Sequence, residues 1–406
     1  MLAAAGCMGF NNPEGWAGPE VAGDLLIAST DKGELSALDP NAESGPQCDN
    51  STDDDQDGWV NEGCPQVGTK AEKGEECDND TSDDTANGAA DDDKVNDGCP
   101  HSSLWKFPTG DEEPKLDLEA IYGTPIISGD TVFFAAYSGD VYALSLETGE
   151  PLWGQPFDTD SAIIAGVALA ETALYVADDD GLLRVLDPQT GRQTDVFDAG
   201  ASIWAAPLLA DGVLYVASVN GRLYALDAET LELVWDEPFE AEQGLVSDPV
   251  LAAGTVLVGG IDRELHAVDA ETGDERWSFA ADNWFWGKPL ADPDRPDTVY
   301  APNLDGRLYA ISSESGVERW SFKADEPLRS APVLAGDILV IADREGNVYG
   351  LDPDTGALKW PAPAALEKAV LANPLVLNGE VVISAEGGDL FRLDAGDGSF
   401  EEVETR

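Results

Sequence analysis

The residues with the clearest chemical potential are the oxygen ligands of a short acidic segment. Carboxylates stand at alternate positions, and Gly58 follows them. Hard oxygen ligands in this spacing, followed by a glycine for the sharp turn, are what a seven-coordinate Ca²⁺ loop requires. The predicted ligands are the side chains of Asp53, Asp55, Asp57 and Asn61 and the backbone carbonyl of Trp59.

A second acidic segment keeps the same frame with poorer ligands. Its predicted ligands are Asp83, Thr85 and Asn87, followed by Gly88. The first loop has Cys64 at the position where an EF-hand carries a bidentate glutamate, so the EF-hand geometry itself is not preserved. The alternative for both segments is an acidic loop that binds no specific ion.

Four cysteines flank the acidic segments, at positions 48, 64, 77 and 99. An even, clustered set in a loop-rich stretch is typical of disulfides and of an oxidising compartment. Four cysteines permit three connectivities, and the internal repeat favours Cys48–Cys64 and Cys77–Cys99. Aspartate spacing combined with cysteines resembles thrombospondin type-3 calcium repeats, which implies that Ca²⁺ structures this part of the chain.

The fifth cysteine, Cys7, follows Leu2-Ala3-Ala4-Ala5-Gly6. This start resembles the end of a lipoprotein signal, although Ala4 is smaller than usual and the basic and hydrophobic regions are missing. A start codon assigned too late would explain both departures. We expect lipidation at Cys7, with a free cysteine as the alternative. No stretch approaches the roughly 20 apolar residues of a membrane helix, so the lipid would be the membrane anchor.

The acidic segments interrupt a repeat that organises the rest of the chain. The phrase G-R-L-Y-A-L-D, at residues 221–227, recurs with variations about every 40 residues. Each copy lies among four short runs rich in Val, Leu, Tyr and Trp, which turn residues separate. Such runs predict an antiparallel four-stranded meander, and no helical periodicity intervenes. Eight units closing radially predict an all-β fold, an eight-bladed β-propeller.

One interval of the repeat is far too long, and it defines the domain organisation. We predict an N-terminal lead at residues 1–12, blade 1 at 13–107 with an insert at 41–103, and blades 2 to 8 at 108–403. The insert falls between the third and fourth strands of blade 1. Because blades 1 and 8 each contain four strand patterns, the ring is predicted to close without exchanging a strand. An aromatic residue anchors each fourth strand: Trp105, Trp153, Phe197, Trp235, Trp277, Trp320, Trp360 and Phe400.

The repeat, as in residues 263–279 and 306–322, resembles that of pyrroloquinoline-quinone (PQQ) type propellers. This resemblance implies the fold but not the cofactor. The repeat occurs in quinoprotein dehydrogenases and also in non-catalytic propellers, including the lipoprotein that assists outer-membrane protein assembly. The dehydrogenases hold their quinone against adjacent cysteines and a Ca²⁺ inside the ring, whereas blades 2 to 8 here contain no cysteine. We therefore expect no PQQ and no catalytic residue.

The first strand of each blade in a propeller lines the central channel. Aligning the blades on a shared proline predicts one channel mouth with aromatic and charged residues: Trp16, Tyr122, Trp204, Asp248, Trp284, Trp286, Lys288 and Arg329. Aromatics with a few polar groups in a concavity are typical of a small-ligand or peptide site. The alternative is that these aromatics fill the middle of the ring.

The net charge of the chain restricts the classes of partner that it can bind. With 80 acidic and 22 basic residues the formal net charge is −58, which disfavours nucleic acid and anionic membranes. Such a surface suits cation binding or a salty environment. We expect a monomeric, non-catalytic propeller in the extracellular or periplasmic space that binds a protein, peptide or glycan at the cell envelope. The alternative is a PQQ-dependent quinoprotein dehydrogenase or another propeller enzyme that binds a small ligand.

Overall fold

The computed structural model describes residues 17–23, 25–29, 33–38, 103–108, 116, 118–292 and 294–403. These residues form eight separate sheets, each built from four antiparallel strands that are consecutive in the chain. The two middle strands of each sheet are rich in Val, Leu, Ile, Phe and Tyr and are mostly buried. Within these ranges, no helix is long and apolar enough to cross a membrane. The predicted eight-bladed propeller is confirmed.

The strands of the first four blades follow one another as short meanders. Blade 1 has β1 (Glu20–Ala22), β2 (Leu25–Ser29), β3 (Leu35–Leu38) and β4 (Ser103–Phe107). Blade 2 has β5 (Ile126–Ser128), β6 (Thr131–Ala135), β7 (Asp140–Ser145) and β8 (Phe157–Asp158). Blade 3 has β9 (Ala168–Leu169), β10 (Leu174–Ala177), β11 (Leu182–Leu186) and β12 (Gln193–Asp198). Blade 4 has β13 (Leu208–Ala210), β14 (Val213–Ala217), β15 (Arg222–Asp227) and β16 (Phe239–Glu240).

The second half of the ring repeats this arrangement. Blade 5 has β17 (Val250–Ala252), β18 (Thr255–Gly259), β19 (Glu264–Asp269) and β20 (Glu275–Ala280). Blade 6 has β21 (Leu290–Ala291), β22 (Thr298–Pro302), β23 (Arg307–Ser312) and β24 (Glu318–Lys323). Blade 7 has β25 (Val333–Ala335), β26 (Ile338–Ala342), β27 (Asn347–Leu351) and β28 (Ala364–Ala365). Blade 8 has β29 (Leu375–Leu377), β30 (Glu380–Ser384), β31 (Leu390–Asp394) and β32 (Phe400–Val403).

The apolar core lies between the blades, because a single four-stranded sheet cannot bury its own faces. Each neighbouring pair of blades shares one cluster of buried residues. The pair that closes the ring, blades 8 and 1, shares a cluster that includes Leu26, Leu38, Val382 and Leu390. Both blades contain four strands of their own, so closure without an exchanged strand is confirmed.

The long interval of the repeat lies within blade 1. The strands on either side of it are paired, with Leu35 opposite Phe107 and Ala37 opposite Trp105. Residues 39–102 therefore connect two neighbouring strands of one blade, at the predicted position. The start of the insert, the five cysteines, both predicted calcium loops and Trp16 lie outside the described residues and stay predictions. Ser103, the last residue of the predicted insert, is the first residue of β4.

Six tryptophans join neighbouring blades by the same contact. Each indole Nε1 donates to a backbone carbonyl of the next blade at 2.8–3.1 Å: Trp105, Trp153, Trp235, Trp277, Trp320 and Trp360. Each of these tryptophan rings also covers a glycine of the next blade. In blade 6, for example, a Cβ on Gly316 would lie 2.8 Å from the ring of Trp277. Blade 3 has Phe197 instead of tryptophan, and the matching position in blade 4 is Leu231 instead of glycine. Glycine is therefore present where a tryptophan ring requires it.

Three fourth strands are shorter than the sequence pattern indicates. In blades 2, 4 and 7 the strand has only two residues, and the anchoring tryptophan lies before it. A proline follows each of these tryptophans by three residues, at Pro156, Pro238 and Pro363. Proline has no N–H to donate, so it interrupts the ladder. These tryptophans still make the contact with the next blade.

Candidate functional site

The central channel is lined by the segment that precedes each first strand. In seven blades the first strand begins directly after a proline, and in blade 3 it begins at Ala168. Because proline has no N–H to donate, β-pairing with the second strand begins at the residue after the proline. The residues before the proline are unpaired and line the channel. In blade 5, for example, the observed strand begins at Val250, directly after Pro249.

These segments enclose a cavity of about 590 Å³, a size typical of ligand pockets. Its wall contains six of the eight predicted mouth residues: Tyr122, Trp204, Asp248, Trp286, Lys288 and Arg329. Trp284 is not part of this wall; its backbone carbonyl accepts a hydrogen bond from the N–H of Leu304 at 3.1 Å. The alignment also missed Glu20, which lies in the wall directly after its proline.

Aromatic side chains from blades 4 and 6 meet across blade 5. The rings of Trp204 and Trp286 are 6.2 Å apart, tilted by 33°. The guanidinium of Arg329 lies over the ring of Trp286, 5.0 Å from its centroid, in a cation–π contact. On the other side, Trp204 donates from Nε1 to Oδ1 of Asp179 at 2.7 Å. Four blades thereby contribute to one continuous set of contacts.

Blade 2 completes this set. Tyr122 and Tyr137 pack edge to face with ring centroids 5.3 Å apart, and Tyr137 lies within electrostatic range of Asp179. Tyr122 interacts in turn with Arg329, although two blades lie between them in the ring. We call the six residues that surround the axis the collar: Tyr122, Tyr137, Asp179, Trp204, Trp286 and Arg329. Aligning the blades on their shared proline did not find Tyr137 and Asp179, because these residues lie at hairpin tips and not in the segments before the first strands.

Burial is the largest cause of the pKa shifts among the wall residues. Burial, together with the charge of Arg344, lowers the pKa of Arg329 to about 10, so this side chain is a cation at neutral pH. Burial raises the pKa of Asp248, although the charge of Lys288 and the N–H of Ala206 oppose that shift. Burial also raises the pKa of Glu20. Arg329 therefore stays charged, while Asp248 and Glu20 ionise less readily than usual.

Two wall residues fix neighbouring blades to each other. Oδ1 of Asp248 accepts a hydrogen bond from the N–H of Ala206 at 2.8 Å. Asn373 does the same for the N–H of Ala331, also at 2.8 Å. All four residues stand one position before the proline or its equivalent. These hydrogen bonds place equal positions of blades 4 and 5, and of blades 7 and 8, at the same level along the axis. Because the first strand also begins directly after the proline in seven blades, sequence position relative to the proline gives the depth in the channel.

A second titratable cluster lies in blade 5, where His266 replaces the repeat's tyrosine. Nε2 of His266 is 3.0 Å from Oδ2 of Asp262, and Nδ1 is 2.8 Å from Oε1 of Glu275. Burial lowers the pKa of His266, but the two carboxylates outweigh burial and raise the pKa overall. The ring packs 5.3 Å from that of Phe239. This histidine therefore joins strands within its blade, as a packing residue.

The wall combines aromatic faces with charged groups. Across the ranges that the structure describes, no group of three or more His, Cys, Asp or Glu side chains could hold a metal. The groups present in the wall can stack on flat or apolar ligand groups and pair with a ligand charge. This composition is typical of binding sites in which a few polar groups fix the orientation of a ligand.

Three comparisons relate the chain to known proteins. The family model described as outer membrane protein assembly factor BamB matches residues 138–245, 237–366 and 304–401. A curated BamB from Legionella pneumophila (strain Paris) is 30% identical over 95 residues, which cover 22% of this chain and 23% of that relative. The match therefore spans under a quarter of that relative.

Solved structures share the fold over nearly the whole chain. BamB from Moraxella catarrhalis has a TM-score of 0.63 at 18% identity, and 92% of each chain is covered. The computationally designed protein Ika8 has a TM-score of 0.64 at 13% identity, with 93% of this chain and 96% of that chain covered. At these identities the likeness concerns the fold alone.

Proposed function

This chain belongs to the propeller family described as outer membrane protein assembly factor BamB, and from that premise we propose that it is a non-catalytic scaffold that binds a protein at the cell envelope. The relatives are named for the assembly of outer membrane proteins. Such a role requires a surface that recognises polypeptide. The central channel is the surface that we propose.

The observation that carries this proposal is the collar above a cavity of about 590 Å³. Trp204 and Trp286 are only half-buried, although tryptophan gains most from full burial. Tryptophan and arginine are the residues that contribute most to binding energy when a partner desolvates them. A partner that contacts the collar from within the channel would bury these side chains next to the charged groups of the wall.

Affinity capture from native envelope preparations tests the proposal. We expect the variant Trp204→Ala plus Trp286→Ala to lose a protein partner that the native chain retains. The matched control removes two exposed apolar side chains elsewhere, Leu233→Ala plus Val317→Ala, at positions that are 45% and 62% exposed. If the collar variant captures the same proteins as the control, or if the partner is a glycan, the proposal is wrong.

We also propose that the insert binds Ca²⁺ and that Cys7 tethers the chain by a lipid. The spacing of Asp53, Asp55 and Asp57 supports the first proposal, and the sequence around Cys7 supports the second. Calcium titration should release or absorb heat and should protect the insert against protease. Asp55→Ala plus Asp57→Ala should abolish both effects. Labelling with a radioactive fatty acid should mark the native chain and not Cys7→Ser. No heat and no protection, or equal labelling, would contradict the respective proposal.

A further inference from the structure

The charged groups of the cavity are ordered along the channel axis. Arg329 stands three positions before its proline, at the level of the collar, and Arg344 is close enough to act on its charge. Lys288 and Asp248 stand one position before their prolines, at the middle level. Glu20 stands one position after its proline, toward the strands. The two cations of the wall, Arg329 and Lys288, therefore lie at the collar and middle levels, and Glu20 lies at the strand end; Asp179, the carboxylate of the collar, accepts a hydrogen bond from Trp204.

Lys288 is the cation of the wall that is open to solvent. Its side chain is exposed, and within the described residues its ammonium has no carboxylate within ion-pair distance. The inner segments of blades 6 and 7 touch beside it, because a Cβ on Gly287 would lie 2.5 Å from the carbonyl oxygen of Arg329. Lys288 and Arg329 therefore lie on adjoining segments, at successive levels. Together they can face one anionic group.

The collar makes one end of the channel narrow. Trp204 reaches Trp286 across blade 5, and Tyr122 and Arg329 interact across blades 8 and 1. A chain that enters from the strand end meets these side chains before it can pass through. A narrowed channel of this kind favours the end of a polypeptide over an internal segment. The positions of the two wall cations, Lys288 and Arg329, then select between the two ends of a chain.

We propose that the channel binds the C-terminal carboxylate of a partner polypeptide, held at Lys288 and Arg329 with the last side chain against Trp204 and Trp286. This inference rests on the proposed function, because it takes the partner to be a polypeptide. A carboxylate at this position can pair with Lys288 and Arg329 and lies away from Glu20 at the strand end. An N-terminal ammonium would instead be repelled by these two cations. The chain has a formal net charge of −58, but salt screens these charges beyond the Debye length of about 8 Å at physiological ionic strength. Inside the channel, the nearby cations therefore determine which charged group of a ligand is attracted.

Peptide titrations test this inference with the whole chain. The probes are N-acetyl-Ala-Ala-Ala-Leu as the free acid, the same peptide as its C-terminal amide, and an amide with aspartate at the third position. Binding is followed by calorimetry and by tryptophan fluorescence. We expect the free acid to bind at least tenfold more tightly than either amide. Lys288→Met should remove this difference, and Lys288→Arg should keep it.

Lys359→Met is the matched control, since it removes the same charge from a lysine paired with Asp352 outside the channel wall. It should leave the preference for the free acid unchanged. Equal binding of acid and amide, no binding of the acid, or equal effects of the two lysine variants would overturn the inference. Tight binding of the aspartate amide would also overturn it, because the recognised group would then be a side chain. If the collar variant loses its partner while peptides show no carboxylate preference, the inference fails and the proposed function stands.

Discussion

The contact between a tryptophan and the next blade can be tested by one added methyl group. We expect Gly316→Ala to destabilise the protein more than Gly336→Ala. Both glycines have left-handed backbone conformations, with φ of +70° and +61°. A Cβ on Gly316 would lie 2.8 Å from the ring of Trp277, whereas a Cβ on Gly336 would have no atom within 4 Å. Both variants carry the same cost of placing alanine at positive φ, so the difference between their losses in free energy of unfolding measures the packing beneath the tryptophan.

The magnitude follows from three contributions. Alanine at positive φ costs about 1–2 kcal/mol at either position. At Gly316, overpacking against the ring adds about 1–3 kcal/mol. Displacing the ring also weakens the hydrogen bond from Trp277 to Ser313, which is 2.9 Å long; such a bond contributes about 1 kcal/mol. We expect a loss of about 1–2 kcal/mol for Gly336→Ala and about 2–6 kcal/mol for Gly316→Ala.

Urea unfolding at fixed salt measures both losses from the shift of the midpoint at constant slope. A third variant, Gly316→Ala plus Trp277→Ala, separates the clash from the backbone penalty. Once the ring is gone the added methyl group has nothing to strike, so the double variant should lose less than the sum of its single changes. Equal losses for the two glycine variants, or simple additivity in the double variant, would refute the packing explanation.

Three further predictions concern charge. The pKa of His266 is raised in the folded protein, so the protonated imidazole stabilises the fold fully below the unfolded pKa of about 6.5, and this stabilisation is lost as pH rises through the folded pKa. His266→Tyr should therefore flatten the pH dependence of the free energy of unfolding, and the tyrosine hydroxyl can keep the hydrogen bond to Asp262. Asp248→Ala should cost about 1–3 kcal/mol by leaving the N–H of Ala206 without its acceptor, whereas Asp248→Asn should be nearly neutral in urea unfolding, since Asn373 already plays this part in blade 8. The melting temperature should rise from 0.05 to about 1 M NaCl as the repulsion of 80 acidic residues is screened, and a fall would contradict this.

Much of the fold could be predicted because its information is local and repeated. The eight copies of one phrase, with turn residues between short apolar runs, define the blades without any knowledge of contacts. The prolines at the start of the first strands provided a common reference along the channel. This reference found Trp204, Trp286 and Arg329, which lie in three different blades and meet at one level.

Features that depend on contacts between blades could not be predicted in this way. Tyr137 and Asp179 reach the collar from hairpin tips, and nothing in their local sequence distinguishes them from other turn residues. Trp284 has the same aromatic character as Trp286 and, two residues away, would share its side of an extended strand. It nevertheless lies outside the wall, where its carbonyl accepts a hydrogen bond from Leu304 in the hairpin between β22 and β23. The short fourth strands were missed although the responsible prolines are visible in the sequence.

The acidic surface and the two cations of the channel wall act over different distances, and this affects how a partner is selected. Charges on the exterior interact with an approaching partner through water, so salt weakens them strongly. Arg329 and Lys288 act at close range, and Arg329 is only partly exposed, so salt weakens their interaction with a bound carboxylate less. A partner with a basic surface is drawn to the propeller, and its C-terminus can then engage the channel. Raising the salt concentration should therefore slow association more than it speeds dissociation.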